Sequence, residues 1–194
     1  MIRNTIHNIS SQLKRNYYDK KYSHIKGFTH VDLTHAKVFS SKIHGKGMLA
    51  NHDIKTDTHI IQYVGEIVTK KESDKRSDRD LVNNYKDAEH GAVYIFTLNK
   101  RYDIDGNVAW NPARFINHAC DPNCEAINVA GEIWISAKRF IKKGEELTYN
   151  YGYDIDNYKD HECKCGSHNC IGYIASEEHW PKLRRLLKKN SAKE

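Results

Sequence analysis

Three cysteines stand within eight residues, Cys163-Lys164-Cys165-Gly166-Ser167-His168-Asn169-Cys170, and this Cys-x-Cys-x4-Cys spacing gathers soft thiolate ligands into one tight loop. Thiolates in this number suit zinc, which structural sites hold tetrahedrally with four ligands, so one more must come from elsewhere in the chain. The candidates are Cys120, Cys124, His161 and His168. The two histidines are local, whereas either earlier cysteine has to be carried in by the fold. Unliganded cysteine is normally buried singly, and this loop is polar, which favours the metal. A loop this short does not order itself, so metal binding should order it. The chain has 5 cysteines, an odd set with four assigned to a metal, which points to a reducing compartment and away from a disulfide scaffold.

Two longer segments carry more information. The first is Arg114-Phe115-Ile116-Asn117-His118-Ala119-Cys120-Asp121-Pro122-Asn123-Cys124, and the second is Gly144-Glu145-Glu146-Leu147-Thr148-Tyr149-Asn150-Tyr151-Gly152. Upstream, His44-Gly45-Lys46-Gly47-Met48-Leu49 offers two glycines that let backbone approach a ligand closely, a weak signal alone because most such sequences are only turns. In this order the segments resemble the SET-domain lysine methyltransferases, whose hallmarks are an Asn-His-x-Cys-x-Pro-Asn stretch and then a Glu-Leu-x-Tyr-x-Tyr stretch. The resemblance also takes in Tyr63-Val64-Gly65-Glu66, Val93-Tyr94-Ile95-Phe96 and the Cys163–Cys170 loop, the family's post-SET segment, and so runs from about Ala36 to Ile174. Ordered motifs over that span exclude coincidence far better than any one of them.

The resemblance implies S-adenosylmethionine as methyl donor, S-adenosylhomocysteine as product and one structural zinc. It implies that the Asn117 and Tyr149 segments thread past one another in a knot-like core that forms the active site. Asn117 and His118 would bind the cofactor; His44, Gly45, Lys46, Gly47 and Tyr94 would complete its pocket, and Lys164 and Ile174 would close it. Cys120 would be the fourth zinc ligand beside Cys163, Cys165 and Cys170, tying the core to the C-terminal loop. Tyr63, Phe96, Tyr149 and Tyr151 would line a channel for the target lysine, with Tyr151 the central hydroxyl. Tyr149 stands where the family alternates between Tyr and Phe, and its hydroxyl hinders an already methylated lysine, which implies mono- or dimethylation. Ala119 stands where Ser is more usual and Lys46 where Arg or an aromatic is common, and no cysteine-rich module precedes Ala36.

The chemistry requires such a channel. Methyl transfer from a sulfonium to an amine is an in-line displacement, so the protein's task is to align two reactants and strip water from the nucleophile. A free lysine has a pKa of about 10.4 and cannot attack until its proton leaves. Aromatic walls disfavour the ammonium by desolvation and tolerate the sulfonium's charge on their faces. The chain has 12 tyrosines, most of them ordinary sheet residues, so only placement in the motif singles out Tyr151.

The elements that must position these residues are mainly β. From Ala36 the sequence breaks into short apolar runs bounded by Gly, Asn and Asp: Lys37-Val38-Phe39, Ile60 to Val64, Val93 to Leu98 and Glu132 to Ser136. These read as small twisted sheets, the β-clip fold of the SET resemblance, with minor α content. The polar stretch Thr69 to Glu89 reads as an exposed helical insert, bounded at 69–92. Ile2, Ile6, Ile9 and Leu13 recur at helical spacing, predicting a helix against the domain or a second copy of it, and hence a route to a homodimer. Tyr17, Tyr18 and Tyr22 fall in a lysine-rich linker. At the other end Pro181 opens a helix in which Trp180, Leu183, Leu186 and Leu187 form an apolar stripe among Lys182, Arg184, Arg185, Lys188 and Lys189. That helix either caps the domain or contacts nucleic acid such as nucleosomal DNA. The expected division is 1–35 helix and basic linker, 36–152 SET domain, 153–175 post-SET segment and 176–194 basic amphipathic helix.

The 194 residues suffice for one domain with a real core. The net charge of +6 sits mainly at the ends. No apolar run approaches the roughly 20 residues that cross a bilayer, so no membrane role is expected. The first eighteen residues hold Arg3, Lys14 and Arg15 but no acid, the composition of an organellar presequence as well as of a basic arm. The acid-rich stretch Glu145, Glu146, Asp154, Asp156, Asp160, Glu162 suits a basic peptide such as a histone tail. The expected setting is intracellular and reducing: a nucleus in a eukaryote, or a bacterial cytoplasm or a host cell entered by secretion. Two alternatives remain at this stage, a methyltransferase of a non-histone protein and a SET fold that binds peptide or nucleic acid without turnover.

Overall fold

The computed structural model describes residues 17–41, 45–84 and 94–191. The helix expected through Ile2, Ile6, Ile9 and Leu13, the glycine-turn residue His44, Val93 and the far end of the insert lie outside the described residues. A short helix α1 (Tyr17–Tyr22) occupies part of the expected linker. The residues after it are not a tether, because Val31 is fully buried and Tyr22, Ile25, Phe28 and Leu33 pack on the main core. Isolated apolar residues in a polar stretch carry no periodicity, which is why sequence could not show that they pack.

The rest of the core is built from short strands. β1 (Ala36–Ser41) and β2 (Gly45–Ala50) pair antiparallel, with Val38 opposite Met48. The Gly-x-Gly sequence read as a turn is thus largely strand. Gly47 has to be glycine there, since a Cβ would stand 2.5 Å from the Phe39 ring and 2.8 Å from the Glu146 carboxylate. β3 (His59–Tyr63), β9 (Glu132–Ala137) and β8 (Cys124–Val129) form a second sheet with β9 central. Its register shifts between His59 and Ile61, and this bulge lets the consecutive Ile60 and Ile61 both enter the core. Opposite them Ile133, Ile135 and Ala137 alternate inward.

A third sheet orders β4 (Glu66–Thr69), β6 (Tyr102–Asp105) and β5 (Ile95–Thr97). The insert forms α2 (Lys70–Asn84), directly after β4. Its attachment is ionic where one would look for apolar contacts: Arg76 bonds Asp105 at 2.7 Å, Glu66 at 2.8 Å and Glu72 at 3.0 Å, and Lys70 pairs with Asp103. Asp103 and Asp105 are buried, and these cations neutralise them. The smallest sheet decides the site. β7 (Asn117–His118) and β10 (Thr148–Tyr149) lie parallel, with Thr148 beside Asn117 and Tyr149 beside His118.

The C-terminal helix forms as its pattern predicts. α3 (Trp180–Ser191) buries Leu183 completely against a second small core of Ile155, Tyr158 and Ala175, with Trp180 and Leu187 packed alongside. Trp180, Leu183 and Leu187 of the expected stripe are thereby used, whereas Leu186 is 36% exposed and faces outward with the lysines and arginines. Among the described residues no helix is long and apolar enough to cross a membrane.

Candidate active site and metal centre

The two hallmark segments meet through backbone geometry. Beyond the β7/β10 pair, the Ala119 amide donates to the Tyr149 carbonyl at 3.3 Å, and the Tyr151 amide donates to His118 Nδ1 at 3.2 Å. Asn123 fastens the crossing: its Nδ2 donates to the Glu146 carbonyl at 2.7 Å and its Oδ1 accepts from the Thr148 amide at 2.9 Å. Asn123 is 3% exposed, so both ends of its amide are satisfied inside the fold.

On one side of the crossing the rings form a continuous wall. Tyr63 meets Phe96 edge to face with centroids 4.6 Å apart, Phe96 lies 5.8 Å from Tyr149, and Tyr149 lies 5.0 Å from Tyr151. The Tyr151 hydroxyl donates to the Ile116 carbonyl at 3.1 Å, and the Tyr63 hydroxyl donates to the Tyr94 carbonyl at 3.0 Å. Burial raises the phenols of Tyr63, Tyr149 and Tyr151 above their ordinary value, so all three remain neutral hydroxyls at any physiological pH. A cleft of about 280 Å³ opens onto Phe96, Tyr149 and Tyr151, with Ser77 of α2 on one bank and Tyr153, Asn157 and His161 on the other.

On the other side, Asn117 Nδ2 donates to Glu146 Oε1 at 2.8 Å and to the Lys46 carbonyl at 3.2 Å, which joins β7 to β2. Asn117 Oδ1 makes no hydrogen bond with the described residues. The Lys46 ammonium stands 4.6 Å over the Phe115 ring. Burial lowers the His118 pKa to about 4, so its ring is neutral. Gly45 has a φ of 71° at the start of β2. Lys164 is exposed near Glu162, and the Ile174 amide donates to the His161 carbonyl at 2.8 Å.

The four open candidates for the last metal ligand are separated by the fold. The sulfurs of Cys120, Cys163, Cys165 and Cys170 lie within 4.8 Å of one another. Cys120 Sγ is 3.7 Å from those of Cys163 and Cys170, and a tetrahedron with metal–sulfur bonds of about 2.3 Å has edges of about 3.8 Å. The donor set therefore fits a closed thiolate site. Cys124 lies instead in the main core, where burial pushes its thiol up to about 12. His161 packs edge to face on Tyr153 at 4.9 Å, and His168 is exposed.

Against known families, a profile described as SET domain matches residues 45–152. The chain belongs to the SET-domain family. Relatives to this SET domain include the histone-lysine N-methyltransferase trithorax of Drosophila virilis, 37% identical over 141 residues, which are 71% of this chain and 4% of that protein. The histone-lysine N-methyltransferase set-2 of Caenorhabditis elegans is 37% identical over 142 residues, 71% of this chain and 9% of its own length. The chain thus spans only a small fraction of the relatives it matches. Among solved structures, one described as "Structural basis for the product specificity of histone lysine methyltransferases" superposes with a TM-score of 0.56 at 28% identity, over 72% of this chain and 55% of the other.

Several residues that shape this SET site were not singled out from sequence. Glu146, read as the first residue of the Glu-Leu-x-Tyr-x-Tyr stretch and as part of an acidic stretch but given no role, is the acceptor that orients Asn117. Glu145 is likewise engaged, with Arg139 at 2.5 Å holding its carboxyl below the ordinary range. The exposed acids of that stretch are therefore Asp154, Asp156, Asp160 and Glu162, of which Asp154 lines the cleft. Tyr153 extends the ring wall at 5.8 Å from Tyr151, and the alternation Tyr149, Tyr151, Tyr153 was the sequence signal for it.

Proposed function

We propose that this SET domain is an S-adenosylmethionine-dependent protein lysine N-methyltransferase acting on histone tails. One observation carries the proposal: the parallel pairing of β7 with β10 sets Asn117 and His118 against Tyr149 and Tyr151, so a donor-binding face and an aromatic channel share one wall. The names of the relatives supply the substrate class, and Asp154 at the cleft, with the exposed acids after it in the chain, suits a basic tail.

The cofactor, when bound, supplies the electrophilic methyl group. The Oδ1 of Asn117, which bonds none of the described residues, and the neutral ring of His118 suit the ammonium and the uncharged base of such a molecule, with Lys46, Tyr94 and Ile174 around it. The channel residues do the rest. Rings of Tyr63, Phe96 and Tyr149 exclude water and lower the pKa of an entering lysine, because a desolvated ammonium is disfavoured. Tyr151 cannot act as an ordinary base, since its phenol is pushed well above neutrality. Its proton is directed to the Ile116 carbonyl, which leaves an oxygen lone pair to orient the amine for in-line attack. Tyr149, packed in the same wall, leaves little room for a methylated amine, and mono- and dimethyl products follow.

The four-thiolate centre is structural zinc in this proposal, and it joins the Cys120 end of the crossing to the C-terminal loop. The outward lysines and arginines of α3 form a face suited to the phosphates of nucleosomal DNA, with the protein expected where histones are. The test is incubation of zinc-loaded protein with labelled S-adenosylmethionine and a panel of free histones, nucleosomes and non-histone proteins, followed by mass spectrometry of the labelled site. Tyr151→Phe should abolish the label while leaving donor binding intact. Absence of donor binding by the unsubstituted chain would refute the proposal, and labelling confined to non-histone proteins would replace its substrate.

A further inference from the structure

The carbonyl of Ala175 accepts two side-chain hydrogen bonds, from Asn150 Nδ2 at 3.1 Å and from Trp180 Nε1 at 3.2 Å. Asn150 lies between Tyr149 and Tyr151, Ala175 follows Ile174 at the end of the metal-bearing segment, and Trp180 is the first residue of α3. One oxygen thus joins the residue just after β10, the stretch that follows the cysteine loop and the C-terminal helix. We propose that α3 is a positioning element of the active site, acting through the Ala175 carbonyl to hold the segment around Ile174 closed over the methyl donor. This rests on the methyltransferase assignment above and extends it to a part of the chain outside the SET match, which ends at residue 152.

The four-sulfur centre ties residues 163–170 to Cys120, and α3 braces the stretch that follows them. Residues 163–170 are a small loop whose described backbone bonds outside it amount to the Cys163 amide on the Gly172 carbonyl. Its return strand is tied to the active-site side by the Ser176 amide on the Tyr153 carbonyl at 2.9 Å and the Ile174 amide on the His161 carbonyl at 2.8 Å. The apolar support comes from α3. Leu183 is 0% exposed under Ile155, Tyr158 and Ala175, and Asn190 Nδ2 donates to the Tyr158 hydroxyl at 3.4 Å. Without the helix, Ile155, Tyr158 and Ala175 would face water, and the closed position would lose its hydrophobic driving force. Asn150 has its own Oδ1 fixed by the Gly152 amide at 2.8 Å, so its donor is aimed at Ala175 and cannot swing away.

Trp180→Phe tests this in the 194-residue, zinc-loaded chain, because it keeps an aromatic ring against the second core while removing the indole N–H together with the smaller ring. Asn150 still serves the Ala175 oxygen, so the variant leaves no orphaned polar group and should fold. Calorimetric titration with S-adenosylmethionine should show a dissociation constant raised about threefold to tenfold, the usual weight of one intramolecular hydrogen bond. The KM for the donor should rise by the same factor while kcat at saturating donor stays within about twofold, a split that loss of a required group would not give. Hydrogen exchange in the donor-free chain should report weaker protection at the Ile174 and Ser176 amides. Leu183→Ala should give the same pattern, larger. Unchanged donor affinity and exchange in Trp180→Phe, or a fall in kcat with KM unmoved, would overturn the role of α3. An unsubstituted chain that binds no donor would overturn the methyltransferase assignment and this proposal together.

Discussion

Replacing Arg76 with methionine should detach α2 from the sheet it leans on. The methionine keeps most of the apolar stem and removes three charged contacts: Asp105 at 2.7 Å, Glu66 at 2.8 Å and Glu72 at 3.0 Å. They are not equal. The side chains of Glu66 and Glu72 are 51% and 43% exposed, and water and salt screen them, so each contributes at most about 0.5 kcal/mol. Asp105 is 9% exposed, and once unpaired it keeps, among the described residues, the Asn107 amide on its other oxygen. Stranding a buried carboxylate in this way costs about 2–4 kcal/mol. The sum is near 3 kcal/mol, equivalent to a fall of about 6–12 °C in the melting temperature of a chain this size. Urea denaturation and thermal melting measure it. Adding Asp105→Asn should restore half or more of the loss, because the stranded charge is removed, and the cleft beside Ser77 should bind peptide more weakly in the single variant. A single variant within about 1 kcal/mol of wild type would show that screening governs this contact as it does exposed pairs, and a double variant destabilised by the full sum would show that the loss does not come from the stranded charge.

Other perturbations test the site itself. Removing the metal with a chelator, or replacing Cys165 with serine, should empty the four-sulfur centre by elemental analysis and weaken donor binding, since the segment loses the tie to Cys120. Tyr149→Phe should raise the share of trimethylated product on intact mass spectra of a histone peptide; an unchanged product distribution would remove Tyr149 from the control of methylation state. His118 has a folded value of about 4 against an unfolded value near 6.5. The unfolded chain therefore binds more protons between those limits, and stability should be full above about pH 6.5 and decline as the pH falls toward 4. Denaturation midpoints across that range measure the slope, which His118→Asn should flatten.

The sequence by itself determined what is local or what family order preserves. Cys163, Cys165 and Cys170 announce a metal loop because their spacing alone confines three sulfurs. The alternating isoleucines of β9 and the apolar stripe of α3 are legible because strand and helix periods are properties of neighbouring residues. The Asn117 and Tyr149 segments are recognisable as ordered motifs before their contact is known.

Only tertiary structure could decide the rest, because it depends on pairs far apart in the chain. Spacing left four residues open as the last metal ligand and only the family resemblance named Cys120; the fold is what sets Cys120, and not Cys124, against a loop more than forty residues on. Asp103, Ile104 and Asp105 are buried in β6 although two of them are acids, since Lys70 and Arg76 arrive from α2 to neutralise the carboxylates. Gly47 is required by the approach of Phe39 and Glu146, and Glu146 matters because Asn117 lies beside it. A hydrogen bond or an ion pair is a relation between two atoms, and a linear sequence records only one of them at a time.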